Sequence, residues 1–216
     1  MELNKYIEHT LLKQNATKEE VKVLLDEARQ YNFLGVCVNP CNVKFAKEYL
    51  KGTDVKIVTV IGFPLGQSTT EVKILETVDA VKNGADEIDM VINGGKLKDD
   101  EYDYIVDEIQ KIKTACQGHN LKVILETDLL TQDEIKKACE LCIKGGADFV
   151  KTSTGFVKNG IGAKAEDVKL MYETVKDAGL QVKASGGIRD RETALKMIEA
   201  GAVRLGTSSG VKIIEG

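Results

Sequence analysis

Short apolar runs alternate with amphipathic stretches along the whole chain, and this alternation restricts the fold more than any other feature. Apolar runs of four to eight residues suit parallel strands buried on both faces, and the stretches between them repeat with helical periodicity. Strands are expected at Tyr6–Thr10, Gly35–Val38, Val55–Ile61, Glu87–Ile92, Lys122–Glu126, Phe149–Thr152, Val182–Ser185 and Arg204–Gly206. Helices are expected near 17–30, 41–50, 69–83, 101–116, 131–144, 164–178 and 191–200, with a short one after Ser208. Thr131 followed by Glu134 makes a capping box, and Ser68-Thr69-Thr70-Glu71 reads as another helix start. A weak repeat runs through the pattern. Gly84-Ala85-Asp86, Gly146-Ala147-Asp148 and Gly201-Ala202-Val203 each close a helix and open a strand, roughly two βα units apart. Eight strands alternating with helices, with no Pro/Ser-rich linker, predict an α/β fold: a (β/α)8 TIM barrel, one domain over residues 1–216. An open doubly wound sheet would need a glycine-rich turn after the first strand, and Thr10-Leu11-Leu12-Lys13 offers none.

Composition excludes several classes of function. A net charge of -4, with lysines scattered among acidic residues, argues against nucleic acid as the main partner. No run approaches the length needed to span a bilayer. The N-terminus lacks the features of a signal peptide, so a cytoplasmic location is expected. Five cysteines spread through the chain do not form a disulfide framework. Cys139 and Cys142 have CxxC spacing inside a helical stretch without a second ligand pair, and His9 and His119 are far apart, so no metal is expected.

Chemistry enters with two lysines. Phe149-Val150-Lys151-Thr152-Ser153 and Gln181-Val182-Lys183-Ala184-Ser185 place an ammonium at matching points of two buried strands. Burying such a charge costs several kcal/mol unless it is paired or neutralised. An ordinary lysine is neutral only about one part in a thousand at neutral pH. A second ammonium about 5–6 Å away costs roughly 3 kcal/mol at an effective dielectric near 20, or about two pKa units. The pair therefore points to a nucleophilic amine and Schiff-base chemistry on a carbonyl compound. Asp89 alternates with Ile88 and Met90 in Glu87-Ile88-Asp89-Met90-Val91, so its carboxylate is expected in the barrel mouth, paired with Lys183 and passing protons. Cys37, also inward on a strand, is read as a pocket-wall residue rather than a nucleophile.

Two glycine-bearing loops follow the last two strands: Ser185-Gly186-Gly187-Ile188-Arg189, and Gly206-Thr207-Ser208-Ser209-Gly210 before a short C-terminal helix. Barrels commonly bind phosphate with the loops after strands seven and eight, where glycine lets backbone N–H groups approach the oxygens. A small phosphorylated substrate is expected.

These motifs cover most of the chain and resemble the class I 2-deoxyribose-5-phosphate aldolases. The resemblance rests on Gly35-Val36-Cys37-Val38, Ile61-Gly62-Phe63-Pro64-Leu65-Gly66, Gly84-Ala85-Asp86-Glu87-Ile88-Asp89-Met90-Val91, Lys151-Thr152-Ser153-Thr154-Gly155-Phe156, Lys183-Ala184-Ser185-Gly186-Gly187-Ile188-Arg189 and Gly206-Thr207-Ser208-Ser209-Gly210. It implies a (β/α)8 barrel in which Lys151 forms the Schiff base, Lys183 favours its neutral amine, and Asp89 joins the proton relay. It also implies phosphate contacts at Gly155, Gly186, Gly187, Ile188, Arg189, Gly206, Ser208 and Ser209, with Thr10, Cys37 and Thr154 lining the pocket. Members of the family need no metal or other cofactor, are cytoplasmic, serve deoxynucleoside catabolism and are often dimers.

The implied reaction is reversible cleavage of 2-deoxy-D-ribose 5-phosphate to acetaldehyde and D-glyceraldehyde 3-phosphate, with a homodimer or other homo-oligomer expected. Three positions depart from the family pattern: Glu8 where aspartate is usual, Gln14 where proline is usual, and an ending Ile214-Glu215-Gly216 without the tyrosine of some members. Proton transfer is therefore expected to rest on Asp89, Lys183 and water. Another Schiff-base barrel with a different donor, such as a transaldolase or keto-acid aldolase, is the alternative enzyme. A phosphosugar-binding barrel that has lost catalysis would require Lys151 or Asp89 to be missing, and both are present.

Overall fold

The structure, a computed structural model, describes residues 2–216. Eight parallel strands close into a barrel in chain order. They are β1 (Ile7–Leu11), β2 (Gly35–Val38), β3 (Lys56–Ile61), β4 (Glu87–Val91), β5 (Asn120–Ile124), β6 (Phe149–Lys151), β7 (Gln181–Ser185) and β8 (Ala202–Thr207). The helices are α1 (Lys18–Gln30), α2 (Val43–Tyr49), α3 (Thr70–Lys82), α4 (Gly94–Lys98), α5 (Tyr102–Ala115), α6 (Gln132–Gly145), α7 (Ala165–Val175), α8 (Arg191–Glu199) and α9 (Gly210–Glu215). β1 closes the ring against β8, with Ile7 beside Leu205. The expected TIM barrel is the fold found.

The glycine repeat forms the hinge of each βα unit at the base of the barrel. Gly84, Gly146 and Gly201 all take left-handed φ values, 103°, 75° and 112°, which a side chain would oppose. The aspartates of the first two copies do a second job. Asp86 Oδ2 accepts the Ile57 N–H at 2.8 Å and Asp148 Oδ2 accepts the Leu121 N–H at 2.7 Å, so each carboxylate satisfies the first donors of a neighbouring strand.

The expected boundaries shift where side chains intervene. β5 spans Asn120–Ile124 instead of running on to Glu126, because Glu126 turns to a left-handed φ of 61°. There its carboxylate accepts the Thr154 N–H at 3.0 Å and the Thr154 hydroxyl. β8 is longer than expected, and α4, a single turn in the β4–α5 connection capped by Asn93, had no sequence signal. The capping box at Thr131 and Glu134 is present, and Thr69 caps α3.

Most of the core lies between the strands and the helical ring, as on α5, where Ile105, Ile109 and Ile112 are fully buried at helical spacing. Each such side chain contributes about 1.5–3 kcal/mol. A smaller cluster, Cys37, Val58, Val60 and Leu12 with Phe63 against it, fills one side of the barrel interior. The other side is charged. That division places the site.

Candidate active site

Strand alternation turns Glu8, Asp89, Lys122, Lys151 and Lys183 into the barrel. All five are buried, Lys151 at 3 % exposure and the rest at 0 %. The register supplies the neighbours: Asp89 lies beside Lys122, and Lys151 lies beside Lys183. Lys151 Nζ donates to Asp89 Oδ2 at 2.9 Å, and Lys183 Nζ donates to the same oxygen at 2.7 Å. Lys122 holds the other oxygen, Oδ1, at 3.0 Å. Lys183 also donates to Glu8. One carboxylate thus carries three ammonium groups.

Burial opposes the charge on Lys183, but Asp89 and Glu8 outweigh it and hold the amine above the usual lysine range. Burial likewise works against ionised Asp89, and Lys122, Lys151 and Lys183 together keep it well below the usual carboxylate range. The two lysines singled out from the sequence therefore do share one pocket, with Lys183 held protonated beside Lys151.

Behind this layer lies a second tier. Lys122 pairs with Glu87 at 2.5 Å and approaches Glu8 at 3.6 Å. Arg204 Nε sits 3.8 Å from Glu8 Oε1, and both atoms lack a hydrogen-bond partner. Lys122 and Arg204 both lie over the Phe149 ring, 5.6 and 5.4 Å from its centroid.

Above Lys151 opens a cavity of about 420 Å³ at the carboxyl ends of the strands. Its walls include Thr10, Thr154, Gly155, Gly186, Gly187, Ile188, Arg189, Gly206 and Ser208, the residues expected there. Lys13, Ser153, Phe156 and Thr207 also line it, and none of these had been anticipated as site residues. Thr152 and Ser185 stitch the β6 and β7 ends together: Thr152 Oγ1 donates to the Ser185 carbonyl and accepts the Ser185 N–H, both at 2.9 Å. Gly187 takes φ 74°, and a Cβ there would meet the Ile161 carbonyl oxygen at 2.3 Å. Glycine is required at Gly206 for a different reason, since a Cβ would sit 3.0 Å from Lys183 Cε.

Two expected residues lie elsewhere. Ser209 borders a separate cleft with His9, Glu27 and Lys212, and its N–H donates to Thr207 Oγ1 at 2.9 Å. Cys37 is fully buried in the apolar cluster, and burial pushes its thiol up to about 11, so it is a packing residue. Glu8 is fully buried, accepts from Lys183 and does not line the cavity. Cys139 and Cys142 are buried in α6, and among the described residues no group of His, Cys, Asp and Glu is placed to hold a metal ion.

Lys122, Glu87 and Arg204 were missed. The first two carried the same signal that marked Lys151, a charge inside an apolar strand. Glu126 was missed because its role depends on a backbone turn that the sequence does not announce.

A parallel barrel whose mouth combines a strand lysine, a shared carboxylate and a glycine-lined cleft has the makings of a lysine-dependent carbon–carbon lyase. The family pattern of the DeoC/LacD family aldolases matches residues 3–216, and the chain belongs to that family. It is 57% identical over 216 residues to the deoxyribose-phosphate aldolase of Finegoldia magna, covering 100% of both chains. It is also 57% identical to the deoxyribose-phosphate aldolase of Enterococcus faecalis, covering 100% of this chain and 97% of that one. The tetrameric deoxyribose phosphate aldolase structure from Aeropyrum pernix superposes with a TM-score of 0.91 at 35% identity, covering 99% of this chain and 89% of that chain.

Proposed function

We propose that Lys151 forms the Schiff base in reversible cleavage of 2-deoxy-D-ribose 5-phosphate to acetaldehyde and D-glyceraldehyde 3-phosphate. The observation that carries this reading is the single oxygen, Asp89 Oδ2, shared by Lys151 and a Lys183 that is held protonated. In the condensing direction the neutral Lys151 amine adds to acetaldehyde, and loss of water leaves an iminium. Asp89 accepts a methyl proton, directly or through water, to give an enamine. The enamine carbon attacks the aldehyde carbon of glyceraldehyde 3-phosphate, and the new alkoxide takes a proton from the relay. Water then hydrolyses the iminium, releasing the sugar phosphate and restoring the amine. The iminium is the electron sink throughout.

The phosphate belongs at the outer wall, where Gly155, Gly186, Gly187 and Ser208 bring backbone close to the ligand and Arg189 and Lys13 supply positive charge. The chain is read as working in the cytoplasm as a homo-oligomer. Val72, Leu75 and Val78, exposed along one side of α3, offer an apolar face for self-association, and no described helix is long and apolar enough to cross a membrane. Sedimentation velocity measures the assembly directly.

Borohydride with acetaldehyde should add a two-carbon unit at Lys151 and stop turnover. Peptide mapping that found the label on Lys183 would reverse the assigned roles.

A further inference from the structure

The buried cluster of charges extends beyond the residues that face the cavity. Four cationic side chains, Lys122, Lys151, Lys183 and Arg204, meet three carboxylates, Glu8, Glu87 and Asp89. With every group ionised, the cluster carries one excess positive charge, and all of its members but the partly exposed Arg204 are buried. Lys151 is the member at the cavity edge, and Asp89 is the one carboxylate it touches. Lys122 and Lys183 each have two or more. Burying an unbalanced charge is costly, so the cluster gains by losing one proton; Arg204, beside Glu8 alone, keeps its guanidinium charge, and among the three lysines Lys151 is the one held by the fewest carboxylates.

We propose that Glu87, Lys122 and Arg204 are positioning residues whose summed charge sets how readily Lys151 gives up its proton. Lys122 and Arg204 act in one direction and Glu87 in the other, and none of the three lines the cavity. Two other groups face Lys151 without an ion pair to it: burial pushes the Cys37 thiol up to about 11, and Glu126, its carboxyl raised by burial, is bonded to the Thr154 N–H and hydroxyl. Lys56, 3.8 Å from Glu87, is 44 % exposed and screened by water. Burial opposes the charge on both Lys122 and Glu87, yet Asp89 and Glu8 hold Lys122 above its usual range and Lys122 holds Glu87 below its own.

The inference rests on Lys151 being the nucleophile, so borohydride labelling of each variant comes first; a label elsewhere defeats that assignment. The inference itself is read from kcat/KM for sugar-phosphate cleavage against pH, with circular dichroism melts confirming the fold. In Lys122→Met the cluster is balanced with Lys151 charged, so the acidic limb should move up by about one pH unit, a tenfold loss of rate on that limb. Glu87→Gln should move it down by a similar amount. The double variant should return near the wild-type limb. Arg204→Gln, at a partly exposed site, should move it up by less. Opposite movements cannot arise from general loosening of the site. Limbs that stay fixed, or that move the same way in Lys122→Met and Glu87→Gln, would overturn the proposal. If Glu87→Gln does not fold, upward movement in Lys122→Met and Arg204→Gln remains the required result, and its absence is equally decisive.

Discussion

The molecule buries lysines in two places, and they behave differently. Outside the barrel, Lys73 on α3 is fully buried and donates to Glu108 Oε2 at 2.8 Å and to the Val91 carbonyl at 3.0 Å. Glu108 in turn accepts from the Thr70 hydroxyl at 3.2 Å. That is one cation against one anion, with the spare hydrogen bonds satisfied and no opening to a cavity. Inside the barrel, Lys151 shares a carboxylate oxygen with a second ammonium and faces 420 Å³ of open space. A buried lysine is therefore not a site in itself. A shortage of partners at a cavity edge makes it one.

Lys151→Met should test that contrast most severely. Without the amine no iminium forms, and activity should fall by roughly a thousandfold or more in a direct aldehyde-release assay, with an unchanged melt. Variants of the pair on α3 should do the reverse. Lys73→Met strands a buried carboxylate and should cost about 3–5 kcal/mol in urea unfolding, with kcat/KM intact where the protein is folded. Adding Glu108→Leu should recover most of that stability, whereas an activity loss in the double variant would dissolve the distinction between the two regions. Lys183→Leu, which removes the ammonium that shares Asp89 Oδ2 with Lys151, should lower kcat/KM at pH 7.5 roughly a hundredfold. The smallest effect concerns packing alone. A Cβ on Gly145 would lie 2.5 Å from Ile109 Cγ2, so Gly145→Ala should destabilise the α5–α6 contact by about 1–3 kcal/mol and leave the pH profile untouched.

Much of this was legible in the sequence because it follows from local rules. The barrel follows from strand and helix periods punctuated by Gly84, Gly146 and Gly201. Lys151 and Lys183 stand out because charge contradicts an apolar strand. Lys122 carried the same contradiction, but only the register beside Asp89 shows what it does. Lys73 could not be told from a surface lysine, since α3 offers charged residues on several sides and its partner lies on another helix. Lys13 reaches the cavity, and Glu126 reaches Thr154 on its wall, through loop geometry, which side-chain periodicity does not encode. Ser209 was expected to join the phosphate loops, and the turn at Thr207 directs it to the neighbouring cleft instead.

The proposed role of the protonated Lys183 is to leave Lys151 available as a neutral amine. The most direct test follows kcat/KM against pH in the wild-type protein and in Lys183→Leu, from pH 5 to the limit of folding. The acidic limb should move upward by about two pH units in the variant, with part of the lost rate regained at high pH and the remainder, due to proton relay, still missing. An acidic limb that stays in place would contradict it, leaving burial rather than the neighbouring charge as the source of the reactive amine.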